Sequence, residues 1–173
     1  MSIPNEPFSL PNSDPWAVAT TREHGDRSAR IKRLIHSQSF AVLCTQGEGQ
    51  PYGSLVAYTT DEQLRCLAFA TSRATRKFRL LSQCDHVALL IDNRPQFPDE
   101  LMKVEAVTAT GRASLLEPGE ERDRWTQRLT ERHPYLSHFV RSSSCGLFRV
   151  EILRYLHVCR FQEVSQWIPD TAG

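Results

Sequence analysis

The sequence lacks the features that mark several large classes of protein. No apolar run approaches the roughly 20 residues that a membrane-spanning helix needs. The first residues, Met1-Ser-Ile-Pro-Asn-Glu6, show neither the charged start nor the apolar stretch of a signal peptide. The formal net charge is only +1, and the basic residues are spread over several segments, which argues against a dedicated nucleic-acid surface. We therefore expect a cytoplasmic protein with no membrane or nucleic-acid partner.

The cysteines never occur in a paired spacing. The five cysteines stand at positions 44, 66, 84, 145 and 159, and no two of them form a Cys-x-x-Cys motif. An odd number of cysteines, scattered through apolar or alternating stretches, predicts reduced and buried thiols rather than disulfides or zinc ligands. We expect no metal site.

The common catalytic motifs are also missing. The sequence contains no P-loop, no Gly-x-Gly-x-x-Gly fingerprint, no Ser/His/Asp order and no pattern of paired catalytic carboxylates. Gly47-Glu-Gly49 precedes a strand pattern rather than a helix, so it predicts a hairpin turn. No catalytic residue can be assigned from the residues alone. Any redox chemistry would come from a bound cofactor, which the protein would hold and orient.

The chain is long enough for one domain with a sizeable core. Residues 1–25 hold four of the ten prolines and show little periodicity, which predicts an extended N-terminal arm before a domain over residues 26–173. A helix is predicted from Asp26, and another is opened by Glu117-Pro-Gly-Glu-Glu121. Alternating or apolar runs predict six strands, over residues 40–45, 51–58, 64–71, 86–91, 103–116 and 145–161. These elements predict a mainly β (α+β) fold, a six-stranded antiparallel split β-barrel with flanking helices.

The most informative stretch follows the third strand. The run ends in Thr71-Ser72, and a short helical pattern begins at once, with Arg73, Arg76, Lys77 and Arg79 on one side and in the first turn. Cations at the start of a helix oppose its dipole, so the placement is unfavourable unless an anion compensates it. Together with hydroxyls and unpaired backbone N–H groups, they predict a seat for a phosphate group. The alternative is an ordinary solvated basic helix face.

In their order and spacing, these segments resemble the pyridoxamine 5′-phosphate oxidase-like family, the FMN-binding split barrels. Gly53-Ser-Leu-Val-Ala-Tyr58 is similar to the family's strand beside the flavin ring. Ala70-Thr71 is similar to the pair that ends the partner strand, and Thr75-Arg76-Lys77 to the group that holds the FMN phosphate. The resemblance continues through residues 87–92 and the strand ending in Gly111-Arg-Ala, so it covers roughly residues 28–160.

This resemblance implies an FMN cofactor bound at the interface of a homodimer and a small-molecule substrate. Backbone N–H groups of the ring strand would hydrogen-bond the flavin pyrimidine edge, and Ser54 is the polar side chain on that strand best placed to add a contact. The implied cofactor-binding residues are Gly53, Ser54, Leu55, Val56, Ala70, Thr71, Ser72, Thr75, Arg76 and Lys77.

The sequence also departs from the authentic pyridoxamine-phosphate oxidase. That enzyme carries an arginine-rich C-terminal substrate segment, whereas this sequence ends in Trp167-Ile-Pro-Asp-Thr-Ala-Gly173, so oxidation of vitamin B6 is not expected. Ala106 stands where the family has a polar amide that contacts the cofactor. Some relatives bind haem or a deazaflavin on the same barrel, so both are alternatives to FMN.

Three functions therefore stay open on the sequence. The first is a flavin-dependent oxidoreductase that acts on a small molecule, for instance with a nicotinamide donor. The second is a protein that stores, senses or delivers flavin or haem without turnover. The third is a barrel without a ligand that serves as an interaction module.

Overall fold

Seven strands and four α-helices make up the parts of the chain that the computed structural model describes, residues 24–47, 49–160 and 163–170. Three short 3₁₀-helices, Arg94–Gln96, Leu101–Lys103 and Pro134–Leu136, lie between them. In chain order the main elements are α1 (His24–Ser37), β1 (Phe40–Gly47), β2 (Gln50–Thr60), β3 (Cys66–Ser72), α2 (Arg76–Gln83), β4 (His86–Asp92), β5 (Ala106–Leu115), α3 (Glu120–Arg132), α4 (Ser137–Arg141), β6 (Cys145–Cys159) and β7 (Glu163–Trp167).

The strands form one antiparallel sheet in the order β3-β2-β1-β4-β5-β6-β7, and β3 also pairs with β6. That additional pairing closes the first six strands into a barrel, because it joins β3 at one edge to β6 near the other. The predicted mainly β, six-stranded antiparallel barrel with flanking helices is therefore confirmed. The seventh strand, β7, was not predicted, since residues 145–161 were assigned to one last strand.

The barrel is split between β2 and β3. These strands pair only through Tyr58, Thr59 and Thr60, while β2 pairs with β1 along almost its whole length. The first part of β2, from Gln50 to Ala57, therefore has one edge with no strand beside it among the described residues. Helix α2, which follows β3, lies next to this edge.

Alternation along the strands fills the barrel with apolar side chains. Inward positions include Leu43, Tyr58, Phe69, Leu89 and Tyr155, all fully buried. Full burial of a side chain of this kind stabilises the fold by about 1.5–3 kcal/mol relative to exposure. A second cluster, built around Trp125, Leu129, Val140 and Leu147, packs α3 and α4 against the outside of β3 and β6.

Helix α1 agrees with the sequence prediction in its position and in its buried face. Helix α1 begins at His24, two residues before the predicted start, and buries Ile31, Leu34 and Ile35 as its apolar stripe predicts. Residues 1–23 of the predicted N-terminal arm lie outside the described residues. None of the described helices combines the length and the apolar character needed to cross a membrane.

Candidate cofactor-binding site

The open edge of β2 presents backbone groups that no neighbouring strand uses. The ammonium Nζ of Lys77 donates to the carbonyl oxygen of Leu55 over 3.1 Å, so this carbonyl faces α2 and not β1. Since successive residues of a strand direct their N–H and C=O groups to opposite edges, Gly53 shares the outward edge with Leu55. The N–H groups of both residues therefore point towards the space beside α2.

The loop before α2 is held by hydroxyl groups. Thr75 is the N-cap of the helix: its Oγ1 accepts from the N–H of Phe78 and donates to the carbonyl of Ser72 over 2.8 Å. The Thr71 hydroxyl lies 3.0 Å from Oγ1 of Thr75. The Thr75 hydroxyl is therefore already engaged in shaping the start of the helix. The N–H groups of Arg76 and Lys77 stand in the first turn and have no intrahelical acceptors.

Three cationic side chains surround this helix start. The guanidinium of Arg76 lies 5.0 Å from the centre of the Tyr52 ring, and that of Arg73 lies 5.4 Å from the centre of the Phe78 ring. No acidic residue stands in the first turn of α2. Burial lowers the pKa of the half-buried Lys77 ammonium, because the charged form loses hydration there. The helix start is therefore a concentrated positive site that an anion would stabilise.

Close packing against β6 fixes the position of α2. A Cβ atom at Gly146 would lie 2.6 Å from the Phe78 ring, so only glycine lets this ring approach the strand so closely. The Phe78 ring also makes an edge contact with Phe148, with centroids 5.5 Å apart. Leu80 and Leu81 complete the buried face of the helix. The cations at the helix start are thus carried on a rigid element.

The structure brings the two predicted halves of the site together. Gly53 and Leu55 lie on the outward edge of β2, facing the helix that carries Arg76 and Lys77. The predicted residues of β3, Ala70, Thr71 and Ser72, pair with Leu147, Gly146 and Cys145 of β6 and lead directly into the loop before α2. The side chain of Val56 lies in the core, where it is 4% exposed.

Ser54 provides a test of whether this site suits a polar ligand. Its Oγ atom is buried and has no hydrogen-bond partner among the described residues. An unpaired buried hydroxyl is unfavourable by roughly 1–3 kcal/mol, so such groups usually have a partner. A ligand with donors and acceptors beside β2 would supply one. The open edge, the helix start and this hydroxyl together fit a flat polar ring system that carries a phosphate.

The two tyrosines of β2 take different positions. Tyr58 is fully buried and donates to the carbonyl of Ile35 over 2.6 Å. Tyr52 lies under Arg76 instead. The Pro-Tyr-Gly spacing of the sequence carries no sign of this contact, because it joins residues 24 positions apart.

The cysteine prediction is correct in part. All five thiols are free, and Cys145 and Cys159 are buried, with burial raising the pKa of each thiol. Cys44, however, is exposed, because it points to the outside of the barrel where the prediction placed it inside. Its neighbours across the sheet are Gly53 on β2 and Ala88 on β4. Among the described residues no group of three or more potential ligands could hold a metal ion.

Comparisons with known structures agree with this fold. The chain resembles the heme-binding protein of Mycobacterium smegmatis (TM-score 0.71, 18% identity, covering 87% of this chain and 59% of that one). It also resembles HutZ, the heme storage protein of Vibrio cholerae (TM-score 0.63, 17% identity, 82% and 93% covered). A third similar structure is an FAD-binding protein of Mesorhizobium loti (TM-score 0.61, 16% identity, 75% and 90% covered). At these identities the likeness establishes the fold alone.

The sequence itself identifies the family. A search among curated proteins gives no match. The family model described as pyridoxamine 5′-phosphate oxidase matches residues 28–159, which is most of the chain and includes β2, β3 and α2. The chain belongs to the pyridoxamine 5′-phosphate oxidase family.

Proposed function

We propose that this protein binds FMN and is a flavin-dependent oxidoreductase that acts on a small molecule, with the flavin bound at a homodimer interface. One observation carries the proposal. The cationic start of α2 contacts the open edge of β2, through the hydrogen bond from Lys77 to Leu55 and the stacking of Arg76 on Tyr52. A phosphate seat therefore adjoins a row of unpaired strand N–H groups.

The phosphate of FMN matches the start of α2. Arg76 offers a planar fork of N–H donors, and Lys77 keeps two of its three N–H donors beyond the one given to Leu55. The first-turn N–H groups of the helix add further donors, and the helix dipole favours a negative charge at this end. A bound phosphate would also relieve the unfavourable burial of the Lys77 charge.

The flavin ring matches the edge of β2. The outward N–H groups of Gly53 and Leu55 can donate to carbonyl oxygens of the pyrimidine ring, and Ser54 adds a hydroxyl that has no partner among the described residues. Gly53 is exposed and has no side chain, so a ring can approach the backbone closely at this point. When bound, the flavin supplies the electron transfer, and these residues hold and orient it.

The outer face of the barrel supports a homodimer. Leu55, Val42, Leu90, Thr108 and Leu156 follow one another in register across five strands on this face. Leu55 is 65% exposed. Leu90 lies on β4, and the sequence of this strand is apolar on both faces although only one of its faces is buried. A second copy related by two-fold symmetry would cover this stripe and enclose a flavin lying beside Leu55.

A non-catalytic flavin- or haem-binding protein is the second candidate. Its support comes from the similar structures, two of which are a heme-binding and a heme storage protein. To separate the two candidates, the purified protein is incubated with equimolar FMN and haemin and passed through a gel-filtration column. The absorbance of the protein fraction is then measured. Retained flavin bands favour the first candidate, and a retained Soret band with no flavin bands favours haem. For a flavin-loaded protein, reduction of the flavin by a nicotinamide donor and reoxidation by a small acceptor would distinguish an oxidoreductase from a storage protein.

The phosphate seat is tested by Arg76→Ala and Lys77→Ala. Each variant is titrated with FMN and with riboflavin, which lacks the phosphate, by flavin fluorescence. Truncating one partner of a charge-assisted pair in a partly desolvated site weakens binding by about 2–5 kcal/mol, or roughly 30-fold and more. We expect this loss for FMN and almost no change for riboflavin. Equal effects on both ligands, or none on either, would show that these cations are ordinary helix surface.

A further inference from the structure

A cavity lies at the far end of the barrel from α2. Helix α2 ends just before β4 begins at His86, whereas this cavity is lined by Asn93, which follows the end of β4. The length of β4 separates the two places by about 20 Å. The cavity has a volume of about 600 Å³, a size typical of small-molecule sites. We call it the basic cavity; its charged lining residues are Arg30, Arg33, Lys103, Glu105 and Arg160.

Four cationic side chains from three separate elements converge on the basic cavity. Arg30 and Arg33 are one turn apart on α1, Lys103 ends the second 3₁₀-helix, and Arg160 follows β6. The chain as a whole has a net charge of only +1. The lining of the cavity holds four cations and one carboxylate, that of Glu105, so positive side chains predominate in the lining.

The acidic groups near the basic cavity leave Lys103 and Arg160 accessible to an anion. The Glu105 carboxylate lies 3.1 Å from Nε2 of His157, whose side chain is 3% exposed, so Glu105 is engaged with a buried histidine. Lys103 pairs with Glu100, and Arg160 pairs with Glu163, but all four of these side chains are more than half exposed. Exposed pairs of this kind contribute little to stability, and a better-placed anion can displace them.

One wall of the basic cavity is apolar. Leu34 is buried at the base, Phe97 is half-buried, and Met102 exposes 62% of its surface although it is a large hydrophobic residue. The Lys103 ammonium lies 6.0 Å from the centre of the Phe97 ring. A flexible methionine beside an aromatic ring can adapt to a flat apolar group, and the cations stand close by to hold a charged substituent.

We propose that the basic cavity is a second ligand site, which binds a small organic anion with a flat apolar body. The phosphate or carboxylate group of the ligand contacts Arg33 and Lys103, and its apolar body lies against Phe97 and Met102. The site is independent of the flavin, because it uses none of the residues of β2 and α2. This ligand can bind whether or not the FMN site is occupied.

Calorimetric titration of the full-length chain tests the site. Arg76→Ala and Lys77→Ala are introduced together, so that the start of α2 cannot contribute anion binding. The probes are phenyl phosphate, inorganic phosphate, benzoate and phenol. We expect saturable binding of phenyl phosphate, weaker binding of inorganic phosphate and none of phenol, and the comparison with benzoate assigns phosphate or carboxylate as the preferred charge. No saturable binding of either aromatic anion, or equal affinity for phenyl phosphate and inorganic phosphate, would overturn the proposal.

Two further variants and a matched control locate the binding. Arg33→Gln and Lys103→Gln each remove one cation at an exposed position, so the fold should be retained. Each is expected to lower the affinity for the bound aromatic anion about tenfold, as for the loss of a hydrogen bond to a charged group. Arg124→Gln removes a cation from an exposed position of α3, away from the cavity, and should change nothing. An equal loss in all three variants would mean that the anion responds only to net charge.

Discussion

At the scale of single residues, the candidate site depends on contacts between side chains that are distant in the sequence. The presence of Arg76 and Lys77 in the first turn could be predicted, because a run of cations after Thr71-Ser72 is visible in the sequence. Their orientation could not be predicted, because it depends on Tyr52 and on the carbonyl of Leu55, which belong to another strand. The hydroxyl of Tyr58 likewise finds its partner on another element, α1, which the sequence does not show.

Tyr52 is expected to orient Arg76 for the phosphate. Stacking of a guanidinium on an exposed aromatic ring contributes about 0.5–1 kcal/mol, so Tyr52→Ala should weaken FMN binding roughly two- to fivefold. Tyr52→Phe keeps the ring and should bind FMN like the wild type. Fluorescence titrations with FMN and riboflavin provide the measurement. A similar loss for riboflavin in Tyr52→Ala would show that Tyr52 supports the strand or touches the ring system, and does not act through Arg76.

The depressed pKa of Lys77 predicts a pH dependence of FMN affinity. Burial lowers the pKa of this ammonium in the free protein, so Lys77 loses its charge at a lower pH than an ordinary lysine. The phosphate favours the charged form, and FMN affinity should therefore be full at neutral pH and fall as the pH rises through this lowered pKa. Lys77→Arg, which stays charged, should remove the decline. Riboflavin titrated over the same range controls for ionisation of the ring itself, and an identical decline for both ligands would contradict the prediction.

At the scale of elements, the sequence predicts strands better than it predicts their pairing. Six strands were placed close to their observed positions, because alternation and β-branched residues are local signals. The split between β2 and β3 was implied only by the family resemblance, since the sequence of β2 gives no sign that its pairing stops at Tyr58. The five-residue β7 was missed because it depends on contacts such as the stacking of Trp167 on Tyr155, with centroids 5.3 Å apart.

A bulge in β6, opposite Thr110 and Gly111 of β5, gives a prediction about stability. The register of β5 on β6 shifts between Thr110 and Gly111, and a Cβ atom at Gly111 would lie 2.2 Å from the backbone oxygen of Glu151. Gly111→Ala must displace a strand and should destabilise the protein by about 2–3 kcal/mol or more. Thermal unfolding should shift down by roughly 5–10 °C. The matched control is Gly53→Ala, whose Cβ would meet Val42 at an ordinary 3.6 Å, so similar melting of both variants would contradict the steric explanation.

At the scale of the whole molecule, the outer face of the barrel predicts the oligomeric state. Leu55→Asp places a charge at the β2 end of this stripe, on its most exposed leucine, and we expect the variant to sediment as a monomer and to bind FMN more weakly. Gln63→Asp adds the same charge in the exposed turn between β2 and β3 and should leave the dimer intact. A wild-type monomer in sedimentation that still binds FMN tightly would exclude an interface site.

The end of α1 depends on a residue from the second half of the chain. Arg132 of α3 donates to the carbonyl oxygens of Ile35, His36 and Gln38, and its guanidinium also lies 4.9 Å from the centre of the Tyr58 ring. These hydrogen bonds span 94 to 97 residues of sequence. During synthesis these carbonyl groups can gain Arg132 as a partner only after α3 has left the ribosome. Closing a loop of this length slows folding, so we expect the last turn of α1 to be completed late.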